Sequence, residues 1–163
     1  MKYWPLVAIP LSWILQVLLA ARFGPINAIP DIPLLLAAFS GLLMGPDAGA
    51  ATGFFAGLLQ DISFGRYIGV HALSRAACGF VSGYAGKRVL PDSLAVPFLV
   101  GFGATLLDDL VSFVIFGVAG AGTFVLRRQM LVLTASAYNA LLGPLAFMLV
   151  SRLSSGKPTQ GKM

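Results

Sequence analysis

The sequence has no glutamate, one cysteine and one histidine, and only 10% of its 163 residues are charged. Soluble domains carry about a quarter of charged residues, so an ordinary soluble domain is excluded. Without Glu, and with His71 alone, the His-Glu-x-x-His pattern of zinc proteases cannot be written. Cys78 by itself forms neither an intrachain disulfide nor a four-ligand structural zinc site. No Gly-x-Ser-x-Gly turn presents a serine nucleophile. Asp108-Asp109 lacks the second aspartate cluster that a prenyl-transferase-like metal site would need. No enzyme class, cofactor or metal is therefore expected. What the chain does have is 58% hydrophobic residues and a mean hydropathy of +0.88.

A bilayer-spanning helix needs about 20 mostly apolar residues, and the apolar runs number six: 3–21, 34–44, 48–60, 70–86, 94–117 and 129–150. The expected fold is an all-α integral membrane protein of about six transmembrane helices, with a single membrane domain over 1–153 and a polar cytoplasmic tail over 154–163. Trp4 sits at the edge of the first run, where tryptophan favours the headgroup level. That run has no Ala-x-Ala cleavage site before Arg22, so it reads as an uncleaved span. Segment 22–33, with Pro25, Pro30 and Pro33, reads as a loop. The second and third runs are short and are divided by Gly45-Pro46-Asp47. They form either two thin crossings or a hairpin that dips in and returns. Both versions leave the sidedness of the downstream runs unchanged.

The 11 Lys and Arg against six Asp give a net charge of +5. In a membrane protein this is a positive-inside bias and an attraction to anionic lipids, and no nucleic-acid partner is expected. With six crossings, Lys2, Lys87, Arg88, Arg152, Lys157 and Lys162 share one side, against Arg22, Arg66, Arg127 and Arg128. Six against four places both termini in the cytoplasm.

Two patterns single out residues. Gly41, Gly45, Gly49, Gly53 and Gly57 recur every four residues, and Gly49, Gly53 and Gly57 share a face after Pro46. Such a face admits another helix at close range, either one of the chain's own or a partner's. It leads into the loop 61–69, where Asp61 can cap and Gly65 and Gly69 can supply positive φ. The second pattern is polar. His71, Arg75, Cys78 and Ser82 line one face of the fourth run, Thr105, Asp108, Asp109 and Ser112 the fifth, and Ser136 and Asn139 the sixth. Ionisable groups at membrane depth are costly toward lipid, so these stripes should face one another. At 1.5 Å per residue, Arg75 and Asp108 lie at depths of about 8 and 13 Å from the same side, which predicts that Arg75 pairs with Asp108 or Asp109. The network serves either as a structural ion pair or as a polar cavity for a ligand.

Gly57-Leu58-Leu59-Gln60-Asp61, then Gly65, then Gly69-Val70-His71-Ala72-Leu73 resembles the central signature of the MreD family of bacterial inner-membrane proteins. Pro30-Asp31, the chain length, the number of runs and the basic tail extend the resemblance over most of the chain. It implies a non-enzymatic scaffold of the cell-elongation machinery that works with the single-span MreC, the actin-like MreB, RodA and its transpeptidase. It also implies a fold similar to the substrate-binding components of energy-coupling-factor transporters. Partner contact is expected at Gly49, Gly53, Gly57, Asp61, Gly65 and Gly69. A buried polar network is expected at His71, Arg75, Asp108, Asp109 and Asn139. The alternative function is a vitamin-binding transporter component. Co-purification separates the two, since one brings a single-span partner and the other a small ligand and an ATPase module.

Overall fold

The computed structural model describes residues 4–23, 29–65, 68–87, 95–118 and 122–154. Among these there are six helices and no strand: α1 (Trp4–Phe23), α2 (Ile32–Met44), α3 (Pro46–Phe64), α4 (Val70–Gly86), α5 (Ala95–Val118) and α6 (Gly122–Ser154). The tail over 155–163 and the loop charges Lys2, Arg66, Arg88, Lys157 and Lys162 lie outside the described residues.

Local chemistry sets the helix ends. Asp31 caps α2, its Oδ1 accepting from Leu34 N at 3.0 Å, and Pro33 stands in the first turn where no amide donor is missed. Gly45 closes α2 at φ +101°, a value that side chains avoid, and Pro46 opens α3 directly after it. Gly65, in the left-handed conformation at φ +65°, ends α3 by donating its N–H to the Asp61 carbonyl. The segment expected to begin a loop at Asp61 is thus still helix as far as Phe64.

The short α2 is the centre of the bundle. It touches all five other helices, and residues from Pro33 to Gly41 are buried all round. With Phe39, it anchors a core that takes Trp4, Ala8 and Ile9 from α1, Ala56 from α3 and Val150 from α6. A helix surrounded by protein carries no outward polar face, which accounts for its uniform hydrophobicity.

The rest of the interior inverts the usual arrangement. Buried side chains include Ser40, Thr52, Ser74, Arg75, Thr105, Asp108, Ser112, Ser136 and Asn139, while Leu11, Leu99, Leu110, Leu133 and Leu141 stand well exposed. Polar groups gathered inside and large apolar groups outside suit a surrounding hydrocarbon. Among the described residues, two helical stretches, α5 over Ala95–Val118 and the part of α6 over Val132–Ser154, are long and apolar enough to cross a membrane.

Candidate functional site

The first cluster forms where the chain enters α2. Asp31 Oδ2 accepts from Arg75 Nη2 of α4 at 2.6 Å. The Asp31 backbone N–H donates to Asn139 Oδ1 of α6 at 2.8 Å, and the next amide, Ile32 N, donates to Gln16 Oε1 of α1 at 3.0 Å. Asn139 turns its amide nitrogen to Thr105 Oγ1 of α5 at 2.8 Å, and Thr105 donates in turn to the Gly101 carbonyl. Leading amides of α2 that have no partner in their own helix are thus bonded by side chains from α1, α6 and Asp31 itself. Five helices, α1, α2, α4, α5 and α6, are tied together at this point.

Arg75 is 1% exposed and makes its ion pair with Asp31, which corrects the expectation of Asp108 or Asp109. The reason is local. Asp108 does lie against α4 at the matched depth, but there it accepts from Ser74 Oγ at 2.6 Å, the residue before Arg75, whose own side chain reaches α2. Asp109, next along α5, is only half-buried. Nε and Nη1 of Arg75 and the hydroxyls of Ser112 and Ser136 are buried without a hydrogen-bond partner. Cys78 is also fully buried and donates to the Ala104 carbonyl.

The second cluster organises the α3–α4 turn. Asp61, 1% exposed, receives four hydrogen-bonding groups: Gly69 N at 2.9 Å and Ala72 N at 3.1 Å on Oδ2, with His71 N at 3.3 Å and His71 Nδ1 at 2.7 Å on Oδ1. Asp61 therefore does from the end of α3 what an N-cap residue would do for α4, whose own cap position, Gly69, has no side chain. Gly69 sits at φ +105° to bring the chain round.

The glycine face does not await a partner. Along it α4 lies antiparallel: a methyl group on Gly49 would collide with the Gly79 carbonyl oxygen, one on Gly53 with that of Arg75, and one on Gly57 with that of His71. Gly79 reciprocates against Gly49, and Gly41 of α2 also abuts Gly79. Gly49, Gly53 and Gly57 were expected among the partner-binding residues and are instead consumed by internal packing, because α4 carries small residues that let the two backbones touch. Asp61 is likewise turned inward. Gly65 is exposed and Gly69 half-buried on the turn.

Of the five residues expected in a buried polar network, Arg75, Asp108 and Asn139 are buried, while His71 and Asp109 are half-buried and His71 belongs to the turn cluster; Asp31 and Gln16 were not expected there. The signal for Asp31 was present, since an aspartate ahead of Ile32-Pro33 is an N-cap pattern. Gln16, inside an apolar run, gave none beyond its polarity.

Among the described residues no three His, Cys, Asp or Glu side chains come together as metal ligands. Two grooves, of about 440 and 140 Å³, are lined by Phe98, Phe102 and Leu141 with their neighbours, and by Leu11, Leu36 and Leu149 with theirs, and by none of the charged groups above. Neither the curated proteins nor the solved structures compared with the chain match it. The family described as rod shape-determining protein MreD matches over residues 3–153. The chain belongs to the MreD family, membrane proteins of rod shape determination.

Proposed function

We propose that this protein is a non-enzymatic, multi-pass scaffold of the cell-elongation machinery, one that receives an MreC-like single-span partner and through it links MreB, RodA and its transpeptidase. The observation that carries this reading is that the interior is spent on the protein itself. Its glycine face holds α4, its carboxylates Asp31 and Asp61 hold Arg75, His71 and backbone amides, and what it offers to others is its outside. The vitamin-binding alternative has no observation in its favour, since the described grooves are apolar.

The helix directions support a reading with six crossings. α3 runs antiparallel to α4 from Gly49 by Gly79 to Gly57 by His71, and α2 runs parallel to α4 from Asp31 by Arg75 to Gly41 by Gly79. If α4 crosses, so do its neighbours. At about 1.5 Å per residue, the 13 residues of α2 cover only about 20 Å, short of the hydrocarbon core, and protein on all sides makes up the difference. Both termini are cytoplasmic on the six-to-four charge count.

With the glycine face filled, the partner contact moves to the α3–α4 turn. Asp61 ties Gly69, His71 and Ala72 to the end of α3, and Ile62, Phe64 and Ile68 stand exposed nearby. The test is capture of the partner from native membranes. Ile68→Asp should leave a monodisperse, normally melting protein that no longer retains the single-span partner. Full retention would remove the turn from the interface. Cysteine at Ser63 should label with an impermeant reagent from the periplasmic side and cysteine at Ser155 should not, whereas the reverse pattern would overturn the sidedness.

A further inference from the structure

α1 and α6 form the two sides of a cleft. α1 runs antiparallel to α2, with Gln16 at Ile32 and Trp4 in the cluster around Phe39, and α6 runs parallel to α2, with Asn139 at Asp31 and Phe147 at Phe39. Among the described residues both helices pack on α2 but hardly on each other. The cleft left between them holds about 140 Å³, with Ile32 and Leu36 as its floor, Leu11 and Leu15 on the α1 side and Leu149 and Leu153 on the α6 side. The one hydroxyl in its lining, that of Ser12, is turned to the Ile9 carbonyl, so the lining offers a polar ligand no partner.

Two observations bear on what covers this cleft. The first is the character of its walls. Helices in hydrocarbon gain no hydrophobic driving force from meeting, and hold one another through small residues and hydrogen bonds. The close seams of this bundle obey that rule, with Gly49 against Gly79, Gly101 against Asn139 and Gly143 against Pro97. The cleft has no glycine, its small residues Ala8 and Ser12 are buried against the bundle, and what it exposes are leucines. A flexible hydrocarbon chain fits such walls, where a second helix gains little. The second observation is charge. No acidic residue occurs before Asp31 or after Asp109, so the segments that carry the two walls have basic charges only. Arg152 stands exposed in the last turn of α6, beside Leu153 at the end of the cleft. We propose that the cleft between α1 and α6 binds an anionic phospholipid, one acyl chain lying on α2 between the leucines and the phosphate held at Arg152. From Ala146 to Leu153 the α6 wall is about 10 Å long at 1.5 Å per residue, which covers the part of an acyl chain next to its headgroup. The chain supplies the apolar contact that α1 and α6 do not make with each other, and the arginine selects the headgroup by charge.

The test uses the full chain in detergent, stripped of native lipid and offered dioleoyl phosphatidylglycerol or dioleoyl phosphatidylcholine, with native mass spectrometry reading the lipid retained. The parent should keep one phosphatidylglycerol and several-fold less phosphatidylcholine, whose chains are the same. Ala146→Phe fills the cleft and should abolish retention of both. Arg152→Gln should bring the two lipids level by lowering retention of phosphatidylglycerol. Equal retention of the two lipids by the parent, a preference that survives Arg152→Gln, or unchanged retention in Ala146→Phe would each overturn the proposal. Loss of a single-span partner in Ala146→Phe with its lipid retention intact would give the cleft to a helix, and overturns it as well. If Ala146→Phe does not yield monodisperse protein, Leu149→Ser decides, since Leu149 is exposed and its replacement leaves the core alone. It should lower phosphatidylglycerol retention several-fold, and full retention refutes the proposal.

Discussion

The α3–α4 seam and the polar cluster at the start of α2 both hold helices together inside the same bundle, and they do it by opposite means. At the seam the contact is backbone on backbone, with Gly49, Gly53 and Gly57 against the carbonyls of Gly79, Arg75 and His71. At the cluster the contacts are long side chains, with Arg75, Gln16 and Asn139 converging on Asp31 and Ile32. A seam without side chains has nothing to rearrange, so it is intolerant of any added atom. A cluster of side chains tolerates change of shape but not loss of charge balance. The seam is therefore the rigid frame, and the cluster is where the bundle can be adjusted.

The largest effect should come from breaking the seam. Gly53→Leu places a branched side chain where even a methyl group meets the Arg75 carbonyl, and backbone rather than a flexible side chain must yield. Overpacking of well-packed cores costs about 1–3 kcal/mol when side chains can shift, and here they cannot, so the isolated protein should fail to yield a monodisperse peak in size-exclusion chromatography. Gly53→Leu that folds and melts like the parent would mean that α3 and α4 are not in backbone contact.

Next comes the cluster. Arg75→Leu leaves Asp31 facing the bundle without its cation. Breaking a buried pair costs about 3–5 kcal/mol, and the 23% exposure of the Asp31 side chain argues for the lower end of that range. Thermal melting in detergent should fall by several degrees. Arg75→Leu with Asp31→Asn should recover part of the loss, which separates a broken charge pair from lost packing. Recovery by Asp108→Asn instead would return Arg75 to the partner that depth alone suggests.

That contrast also marks what can be read from the sequence. The four-residue spacing of Gly49, Gly53 and Gly57 announces a close approach, because nothing else explains a helix face without side chains. It does not say which helix approaches, since α4 and a foreign helix would need the same face. The polar stripes were legible as interior for a similar reason: ionisable groups avoid lipid, and Arg75 and Asp108 are indeed buried. Matching depth along α4 and α5 brought the reading to the right level, where Ser74 meets Asp108. It missed the partner of Arg75 by one residue and one helix, because Asp31 lies in a proline-rich segment that reads as loop, and the direction of a side chain around its helix is set by packing. The centrality of α2 was hidden as well. A run too short for a span looks marginal in sequence, whereas burial on every side is what permits it to be short.

A smaller effect should come from Asp61→Asn at the turn that ends the seam. Oδ2 accepts from the backbone amides of Gly69 and Ala72, and an amide nitrogen in that place would face two donors, while the other orientation would disturb the two contacts with His71. Hydrogen bonds to charged groups contribute about 1.5–3 kcal/mol each, but the exposed turn can relax, so a net loss nearer the size of one bond is expected. The check is hydrogen exchange: the Gly69, His71 and Ala72 amides should lose protection while Gly53 and Ala76, inside the seam, keep theirs. Loss of protection along the whole of α4 would show that the turn and the seam form one unit.

The smallest effect sharpens the comparison within a single helix. Gly101 and Gly103 are two residues apart on α5, and only one of them belongs to a close contact. A methyl group on Gly101 would lie 2.6 Å from the Asn139 carbonyl oxygen, whereas one on Gly103 meets nothing within 4 Å. In an exposed helical position, glycine to alanine stabilises by about 0.4–1 kcal/mol, chiefly by restricting the unfolded chain. Gly103→Ala should therefore raise the melting temperature slightly. Gly101→Ala should lower it, because it pushes α6 away just where Asn139 reaches Thr105 and Asp31. Opposite signs two residues apart would show that helix propensity and helix contact are separable on α5. A loss of similar size at both positions would mean that the outer face of α5, around Gly103, is itself covered in the membrane, and that face would then become the next place to look for a partner helix.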